Sequence, residues 1–100
     1  MALTPEGKVK DKCKDIMKKH GVWQFSPSMN GMGRAGIPDL ICCVNGFFLA
    51  VECKVGKGKT TALQDRELAA IRTAEGVALV VNEDNLDELE QIIEGLLLDE

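Results

Sequence analysis

The sequence predicts a single α/β domain in which helices and strands follow the order αβββαβα. Three observations support this prediction. Amphipathic patterns with helical spacing lie near both ends of the chain, an Asn-Gly pair joins two apolar runs in the middle, and a helical and a strand-like segment follow that pair. The 100 residues are 45% hydrophobic and 28% charged, which is typical of a globular chain. We therefore expect one domain over residues 1–100.

The composition also predicts a soluble intracellular protein. No apolar run approaches the roughly 20 residues that a membrane helix needs, and the first residues lack the apolar segment of a secretory signal. The cysteines form neither a CxxC pair nor an array with zinc-ligand spacing. We interpret them as reduced, mostly buried thiols, at Cys13, Cys42, Cys43 and Cys53. These features predict a cytoplasmic protein without a membrane partner.

The charges are distributed unevenly along the chain. The net charge is −4, but residues 1–60 carry ten Lys and Arg against five Asp and Glu, whereas residues 61–100 carry two against eleven. A polyanion such as DNA could dock on the first part while the acidic end faces away. The lysines alone are explained equally well by a solvated helix face.

A basic amphipathic helix is predicted to begin at Pro5, with Thr4 as its N-cap. Its apolar face consists of Val9, Cys13, Ile16 and Met17, and the helix ends at His20-Gly21. Glu6 lies in phase with that apolar face, so it is a candidate site residue as well as a first-turn acid favoured by the helix dipole. We interpret His20 as packing favoured by the dipole rather than as a general base.

A short strand and a glycine-rich loop are predicted to follow the helix. Val22–Ser26 is apolar and aromatic, and we interpret Trp23 and Phe25 as core side chains. Four aromatic residues in the whole chain are too few for a base-stacking platform. Residues 28–36 contain three glycines and no periodicity, which predicts a mobile loop that carries one cation, Arg34.

The runs Pro38–Val44 and Phe47–Lys54 predict a β-hairpin, because Asn-Gly between apolar runs is typical of a type I′ turn. A two-residue loop pairs residues whose numbers sum to 91, which places Asp39 opposite Glu52. Lys54 points to the same side as Glu52, since side chains two apart on a strand share a face. The hairpin therefore gathers two acids and a lysine at one end.

Two neighbouring carboxylates repel each other unless a shared proton or a hard divalent cation stabilises them. Carboxylate oxygens suit Mg²⁺ or Mn²⁺, so we favour the cation. Lys54 could then orient a water molecule and offset the charge that develops during phosphodiester hydrolysis. The alternative is an ordinary ion pair between Glu52 and Lys54 on an exposed strand.

The rest of the chain predicts a loop, two helices and a strand. Val55–Lys59 is a loop rich in glycine and lysine, and Thr61 and Gln64 have the spacing of a capping box that opens a helix through Ala74. Val77–Val81 reads as a buried strand. Either Asp84 or Asn85 caps the last helix, whose apolar side is Leu86, Leu89, Ile92, Ile93, Leu96 and Leu97. That side most simply covers its own sheet, although it could also form a dimer interface.

The chain contains GIPDL at residues 36–40, the hairpin, VECK at 51–54, the Gly-Lys loop and TALQ at 61–64. Together these motifs resemble a VRR-NUC domain of the PD-(D/E)XK nuclease superfamily. The resemblance implies a restriction-endonuclease-like αβββαβ core, with a mixed four-stranded sheet flanked by helices. It also implies a core architecture similar to that of Holliday-junction resolvases, in which homodimers would suit symmetric cutting of branched DNA.

The resemblance implies roles for individual residues. The implied ligands of Mg²⁺ or Mn²⁺ are Asp39, Glu52, the main-chain carbonyl of Cys53 and, directly or through water, Glu6. The implied catalytic set is Asp39, Glu52, Lys54, Gln64 and Glu6, with Gln64 near the scissile phosphate. Gln64 also has the simpler interpretation of a capping-box partner. Arg34, Lys57 and Lys59 are candidates for phosphate contacts, because they flank the site on glycine-rich loops.

The function predicted first is therefore a metal-dependent endonuclease acting on DNA, with a preference for branches or junctions. An alternative is a catalytically idle DNA-binding or assembly subunit, although the complete set of acids and lysine argues against it. Nucleotide binding through GKGKTT at residues 56–61 is excluded. A phosphate-binding loop of that type needs glycine five positions before Gly58, and this chain has Cys53 there.

Overall fold

A computed structural model describes residues 4–27 and 34–99 of the chain. Within these ranges, three helices and four strands follow one another in the predicted order. They are α1 (Pro5–Lys19), β1 (Trp23–Phe25), β2 (Leu40–Val44), β3 (Phe47–Cys53), α2 (Ala62–Thr73), β4 (Val77–Val81) and α3 (Leu86–Leu98). A glycine-rich loop is predicted over residues 28–36, and its residues 28–33 lie outside the described ranges. Within the described ranges, no helix is both long and apolar enough to cross a membrane.

The four strands form one mixed sheet in the order β1-β2-β3-β4. Strand β4 runs parallel to β3, and the other neighbours are antiparallel. The connection from β3 to β4 passes through α2, as a parallel pair requires a crossover. The predicted α/β fold with a mixed four-stranded sheet flanked by helices is confirmed.

The β2–β3 hairpin has the predicted turn and register. Asn45 and Gly46 both have positive φ, at 53° and 85°, which a type I′ turn requires. Val44 pairs with Phe47, and Leu40 pairs with Val51 at the far end of the ladder. Asp39 lies just before β2, so its side chain is placed by the end of the hairpin rather than by the ladder itself.

The main core lies between the sheet and the pair α1 and α3. Alternate residues of β2 face it, and β3 and β4 contribute in the same register. The core consists of Val9, Cys13, Met17, Leu40, Cys42, Val44, Leu49, Val51, Cys53, Val81, Leu89 and Ile93. Three of the four cysteines are buried and all four are free thiols, as predicted, while Cys43 points to the other face and is exposed.

The prediction that Trp23 and Phe25 are core residues is wrong. Their side chains are 60% and 46% exposed, and their ring centroids lie 5.4 Å apart. Strand β1 is at the edge of the sheet, and its aromatic residues pair with Cys43 and Ile41 on the face opposite the main core. Helix α2 packs on β4, at the other end of the strand order, and therefore does not cover them.

The acidic end of the chain does not face away from the basic helix, contrary to the expectation from charge. Helix α3 packs directly against α1. Glu90 of α3 accepts contacts of 2.7 Å from both Lys19 Nζ and His20 Nε2. These partners lower the pKa of Glu90 below its ordinary value, and Glu90 in turn raises the pKa of Lys19. Part of the positive charge of α1 is therefore offset within the fold.

Helix α3 uses its apolar side to cover its own sheet, which was the simpler of the two interpretations. Its buried and partly buried side chains pack on the core, at Leu86, Leu89, Ile92, Ile93 and Leu96, whereas Leu97 is 42% exposed. Asn85 occupies the N-cap position rather than Asp84. Its side chain makes no cap hydrogen bond in the described structure, because it accepts from Asn82 N and donates to Val80 O instead.

Candidate metal centre

Three carboxylates meet where the first turn of α1, the start of β2 and the end of β3 come together. Oxygen atoms of Glu6, Asp39 and Glu52 all lie within 4.8 Å of one another. The three residues are distant in sequence, and only the packing of α1 against the sheet brings the first to the other two. Three ionised acids at this spacing repel one another unless a proton or a cation neutralises part of their charge.

Asp39 is held at the end of the hairpin by its neighbour strand. Its Oδ2 accepts a hydrogen bond from the backbone N–H of Cys53 at 2.8 Å. The preceding residue, Pro38, is buried, and its ring restricts the backbone that leads to the carboxylate. Cys53 is itself fully buried in β3, next to Glu52. The Asp39 carboxylate therefore sits in a defined place beside Glu52.

Glu52 is a buried acid, with only 2% of the residue exposed. Burial, then the charge and hydrogen bond of Asp39, and then the charge of Glu6 raise its pKa to about 8, although Lys54 opposes the shift. The ordinary value is 4.5. Without a cation, this site therefore holds a proton at Glu52 near neutral pH.

Lys54 lies beside the acids at the exit of β3. Its Nζ is 3.6 Å from Glu52 Oε2, and its side chain is only 16% exposed. The alternative of an ordinary ion pair on an exposed strand is wrong, because β3 lies between β2 and β4 and Glu52 is buried. A partly buried ammonium next to clustered carboxylates is a suitable donor for an oxyanion.

Gln64 completes the helix cap that the sequence predicts, and it also contacts Glu52. Its Oε1 accepts from Thr61 N at 2.9 Å while its own N–H donates to Thr61 Oγ1 at 3.2 Å, which completes the capping box of α2. Its Nε2 also donates to Glu52 Oε2 at 3.1 Å. The cap therefore fixes the orientation of an amide that contacts the site.

Glu6 reaches the cluster from the start of α1. Thr4 caps this helix by accepting from Gly7 N at 3.0 Å, and Pro5 occupies the first turn, as the sequence predicts. The residue is exposed, unlike Glu52, so its carboxylate lies at the open side of the cluster. An acid in this place can act through water as well as directly.

Comparison with known proteins finds similarity among solved structures. No protein-family model and no curated protein matches the chain. Among solved structures, a chain described as "VRR_NUC domain" matches with a TM-score of 0.73 and 27% sequence identity, over 92% of this chain and 97% of that one. The chain folds as a VRR-NUC domain. The match indicates a nuclease domain, in agreement with the motifs in the sequence.

The donor set of this VRR-NUC domain fits a hard divalent cation. Three carboxylates offer oxygen ligands, and the contacts of Glu52 with Lys54 and Gln64 leave the acids with an excess of negative charge. The backbone N–H of Cys53 donates to Asp39, so Cys53 lies at the end of the hairpin that carries the acids. Its main-chain carbonyl is therefore a candidate fourth oxygen ligand. Such a set is compatible with Mg²⁺ or Mn²⁺.

Arg34 does not stand free in the VRR-NUC domain. Its Nε lies 2.6 Å from Glu67 Oε2, and its Nη2 donates to Glu67 Oε1 at 2.9 Å. Glu67 is 5% exposed and was missed from the sequence. The sequence did contain an indication of its position. Glu67 lies one helical turn after Gln64, and residues three apart on a helix share a face.

Two of the predicted phosphate contacts are lysines of the loop that follows β3. Lys57 and Lys59 are exposed on the loop after β3, where Gly56 adopts a positive φ of 55°. His20 is separated from Glu6 by the length of α1, about 20 Å, and it contacts Glu90. A surface cavity of about 430 Å³ is lined by Arg34, Phe48, Glu67, Ala70, Ile71, Ala74, Glu75 and Gly76, and none of the clustered acids lines it.

Proposed function

We propose that this VRR-NUC domain is a metal-dependent endonuclease that hydrolyses DNA phosphodiester bonds. The observation that carries the proposal is the convergence of Glu6, Asp39 and Glu52 within 4.8 Å of one another, with Lys54 beside them. The fold match supports the same conclusion from a separate direction. Neither a core position nor a solvated surface explains why a fold would gather three acids around one point.

The proposed ligands of Mg²⁺ or Mn²⁺ are Asp39, Glu52 and the Cys53 carbonyl, with Glu6 joining directly or through water. A bound ion would act as a Lewis acid and lower the pKa of a coordinated water. The raised pKa of Glu52 supports this assignment, because a doubly positive ion would offset the burial and the repulsion that now favour a proton there.

The side chains of the domain then have separate tasks. Lys54 Nζ donates to a phosphate oxygen or to the attacking water, and its charge offsets negative charge that develops in the transition state. Gln64 Nε2 holds Glu52 in place and faces the same site. Before substrate binds, Lys54 is already partly buried beside Glu52, and Gln64 is held by its helix cap. Preorganised donors of this kind need little rearrangement during the reaction.

The proposed substrate is duplex DNA with a branch or junction. Lys57 and Lys59 lie on the exposed loop directly after Lys54. The proposal assigns them contacts with phosphates next to the cut. These contacts are independent of base sequence, which favours recognition of DNA shape. The free thiols, three of them buried, agree with a reducing compartment, so an intracellular, cytoplasmic location is part of the proposal.

We also propose that the domain acts as a homodimer, since two sites related by a twofold axis would suit a symmetric branched duplex. The side chains that favour association are the exposed aromatic residues on one face of the sheet, Trp23, Phe25 and Phe48. Light scattering should give twice the mass of the 10.9 kDa chain. Phe25→Glu should shift the mass to the monomer, and Leu98→Glu, at an exposed helix end, should not. A parent that stays monomeric at high concentration contradicts dimerisation alone.

The test of the nuclease proposal is cleavage of labelled linear, flap and four-way DNA with and without Mg²⁺ or Mn²⁺. The parent should nick the branched substrates only with metal, and Asp39→Ala and Lys54→Ala should abolish nearly all nicking while they retain DNA binding. Asp11→Asn, at an exposed acid of α1, is the matched control and should cleave like the parent.

Three outcomes would contradict the proposal. Cleavage that survives chelation or Asp39→Ala would place the chemistry elsewhere. DNA binding without cleavage under any metal condition would favour an idle binding or assembly subunit. A binding affinity that hardly changes between low and moderate salt would exclude phosphate contacts by the loop lysines.

A further inference from the structure

The Arg34–Glu67 ion pair lies outside the carboxylate cluster, on the segment that leads to it. Both oxygens of Glu67 are engaged, at 2.6 and 2.9 Å, so the pair is bidentate. Glu67 is almost fully buried, whereas the Arg34 side chain is largely exposed. A buried carboxylate needs a fixed partner, and a bidentate guanidinium also restricts direction. The pair therefore fastens Arg34 to α2.

Two more contacts hold the segment from Arg34 to Pro38. Gly36 has a φ of +89°, and a Cβ there would come within 2.5 Å of the Leu63 carbonyl oxygen at the start of α2. The backbone at Gly36 thus lies directly against that helix. Pro38 is buried, and Asp39 follows it. The segment is attached to α2 and delivers the Asp39 carboxylate at its end.

Helix α2 also contacts the other strand of the site. Gln64 Nε2 donates to Glu52, and Glu67 lies one turn further on the same helix face. One rigid helix therefore touches both the segment that carries Asp39 and the buried Glu52. Helix α2 therefore links the segment that carries Asp39 to Glu52.

We propose that Arg34 and Glu67 are positioning residues that set the place of Asp39 relative to Glu52, and thereby the affinity of the site for a divalent cation. The inference rests on the proposed metal-dependent nuclease. It assigns Arg34 a positioning role where the sequence predicted a phosphate contact, since Nε and Nη2 of the guanidinium both meet Glu67.

The test measures Mn²⁺ affinity by titration calorimetry, without DNA, and nicking kinetics in parallel. Arg34→Lys keeps the charge but loses the bidentate geometry, and Glu67→Gln removes the charge. Each should weaken Mn²⁺ binding about 10-fold to 100-fold, the usual effect of losing a residue that supports a metal ligand. The double variant should be no worse than the weaker single variant, and the exchange R34E/E67R should recover part of the affinity. Arg66→Lys, at an exposed arginine of α2, should bind Mn²⁺ like the parent.

The same variants separate positioning from phosphate contact. A positioning pair lowers kcat with KM little changed, for both variants alike. If Arg34→Lys instead raises KM and reduces the salt dependence of DNA binding by about one phosphate, with Mn²⁺ affinity unchanged, the proposal is overturned. Because Arg34 is exposed, its conservative variant tests the proposal even if Glu67→Gln does not fold.

The failure of this inference can be told from the failure of the proposed function. A parent that binds Mn²⁺ but cleaves no DNA contradicts the nuclease, while the Mn²⁺ titrations still decide the role of the pair. A parent that binds no Mn²⁺ contradicts both.

Discussion

The backbone N–H of Cys53 donates to the Asp39 carboxylate at 2.8 Å, across the open end of the β2–β3 hairpin. This bond joins a residue just before β2 to the last residue of β3, beyond the final ladder pair of Leu40 with Val51. The contact between the two strands therefore continues past the ladder to the residues of the site. The bond holds the Asp39 carboxylate beside the end of β3 that carries Glu52.

The stability of the metal-free domain should fall as pH rises, because the pKa of Glu52 is raised from 4.5 to about 8 in the folded state. The folded state then holds this proton more tightly than the unfolded state does. Its stabilising effect is complete below about pH 4.5, is lost as pH rises toward 8, and does not change further above that value. With chelator present, Glu52→Gln should therefore be more stable than the parent at pH 8.5, and this advantage should shrink toward pH 5.

Thermal unfolding of both proteins across this pH range checks the prediction, with Asp11→Asn as a control for losing an exposed acid. Mn²⁺ should stabilise the parent more at pH 8.5 than at pH 5, since the ion competes with the proton. A constant difference between Glu52→Gln and the parent at all pH values would show that Glu52 titrates as an ordinary acid.

Lys54→Ala should separate rate from metal binding. The lysine is 3.6 Å from Glu52 but is not a metal ligand, so its loss should lower the single-turnover rate of nicking at least about 100-fold while Mn²⁺ affinity changes only a few-fold. Single-turnover kinetics and calorimetry measure the two quantities. Lys59→Ala, on the exposed loop, should weaken DNA binding and leave the single-turnover rate at saturation unchanged. Equal losses of rate and Mn²⁺ affinity in Lys54→Ala would assign the lysine a structural role only.

Two variants of Gln64 separate its role in the helix cap from its hydrogen bond to Glu52. Gln64→Glu keeps the capping box, which accepts Glu or Gln at this position, but replaces the amide donor to Glu52 with a carboxylate. Gln64→Ala loses both and should reduce the free energy of unfolding by about 1 kcal/mol. Both should lower nicking about 10-fold.

Denaturant unfolding and nicking assays measure these effects, with Gln91→Ala on the exposed side of α3 as the control. Full activity in Gln64→Glu would mean that only the helix cap matters.

Gly36→Ala and Gly46→Ala compare two glycines with nearly equal φ, +89° and +85°. Nothing lies within 4 Å of a Cβ at Gly46, so alanine there should cost about 1 kcal/mol for the left-handed backbone alone. At Gly36 the added Cβ meets the Leu63 carbonyl oxygen at 2.5 Å, so the cost should reach about 2 to 4 kcal/mol. Denaturant unfolding measures both, and equal losses would show that α2 yields freely at this contact.

Much of the hairpin and its register could be predicted, because local chemistry specifies them. Asn45-Gly46 is nearly unique to one turn type, and a two-residue turn leaves only one register, so the pairs from Val44–Phe47 to Leu40–Val51 followed directly. The caps at Thr4 and Thr61 were equally local, since each involves a backbone N–H three residues away.

Other features depended on which elements pack together, which no local pattern carries. Trp23 and Phe25 are apolar and β-prone, but their burial depends on whether a helix covers that part of the sheet, and α2 lies over β4 instead. The pairing of Arg34 with Glu67 joins residues 33 positions apart through the packing of a loop on a helix. A lone arginine on a glycine-rich loop carries no sign of such a partner.

The sequence by itself determined the order of the elements, the hairpin register and the identity of the acids and lysine near its open end, because turns, caps and alternation act over a few residues. Only the tertiary structure decided that Glu6 joins those acids, that Glu52 is buried enough to hold a proton, and that α2 ties Gln64 and Glu67 to the two sides of the site. The physical reason is that burial and long-range electrostatics depend on how whole elements pack, and many packings share the same local pattern.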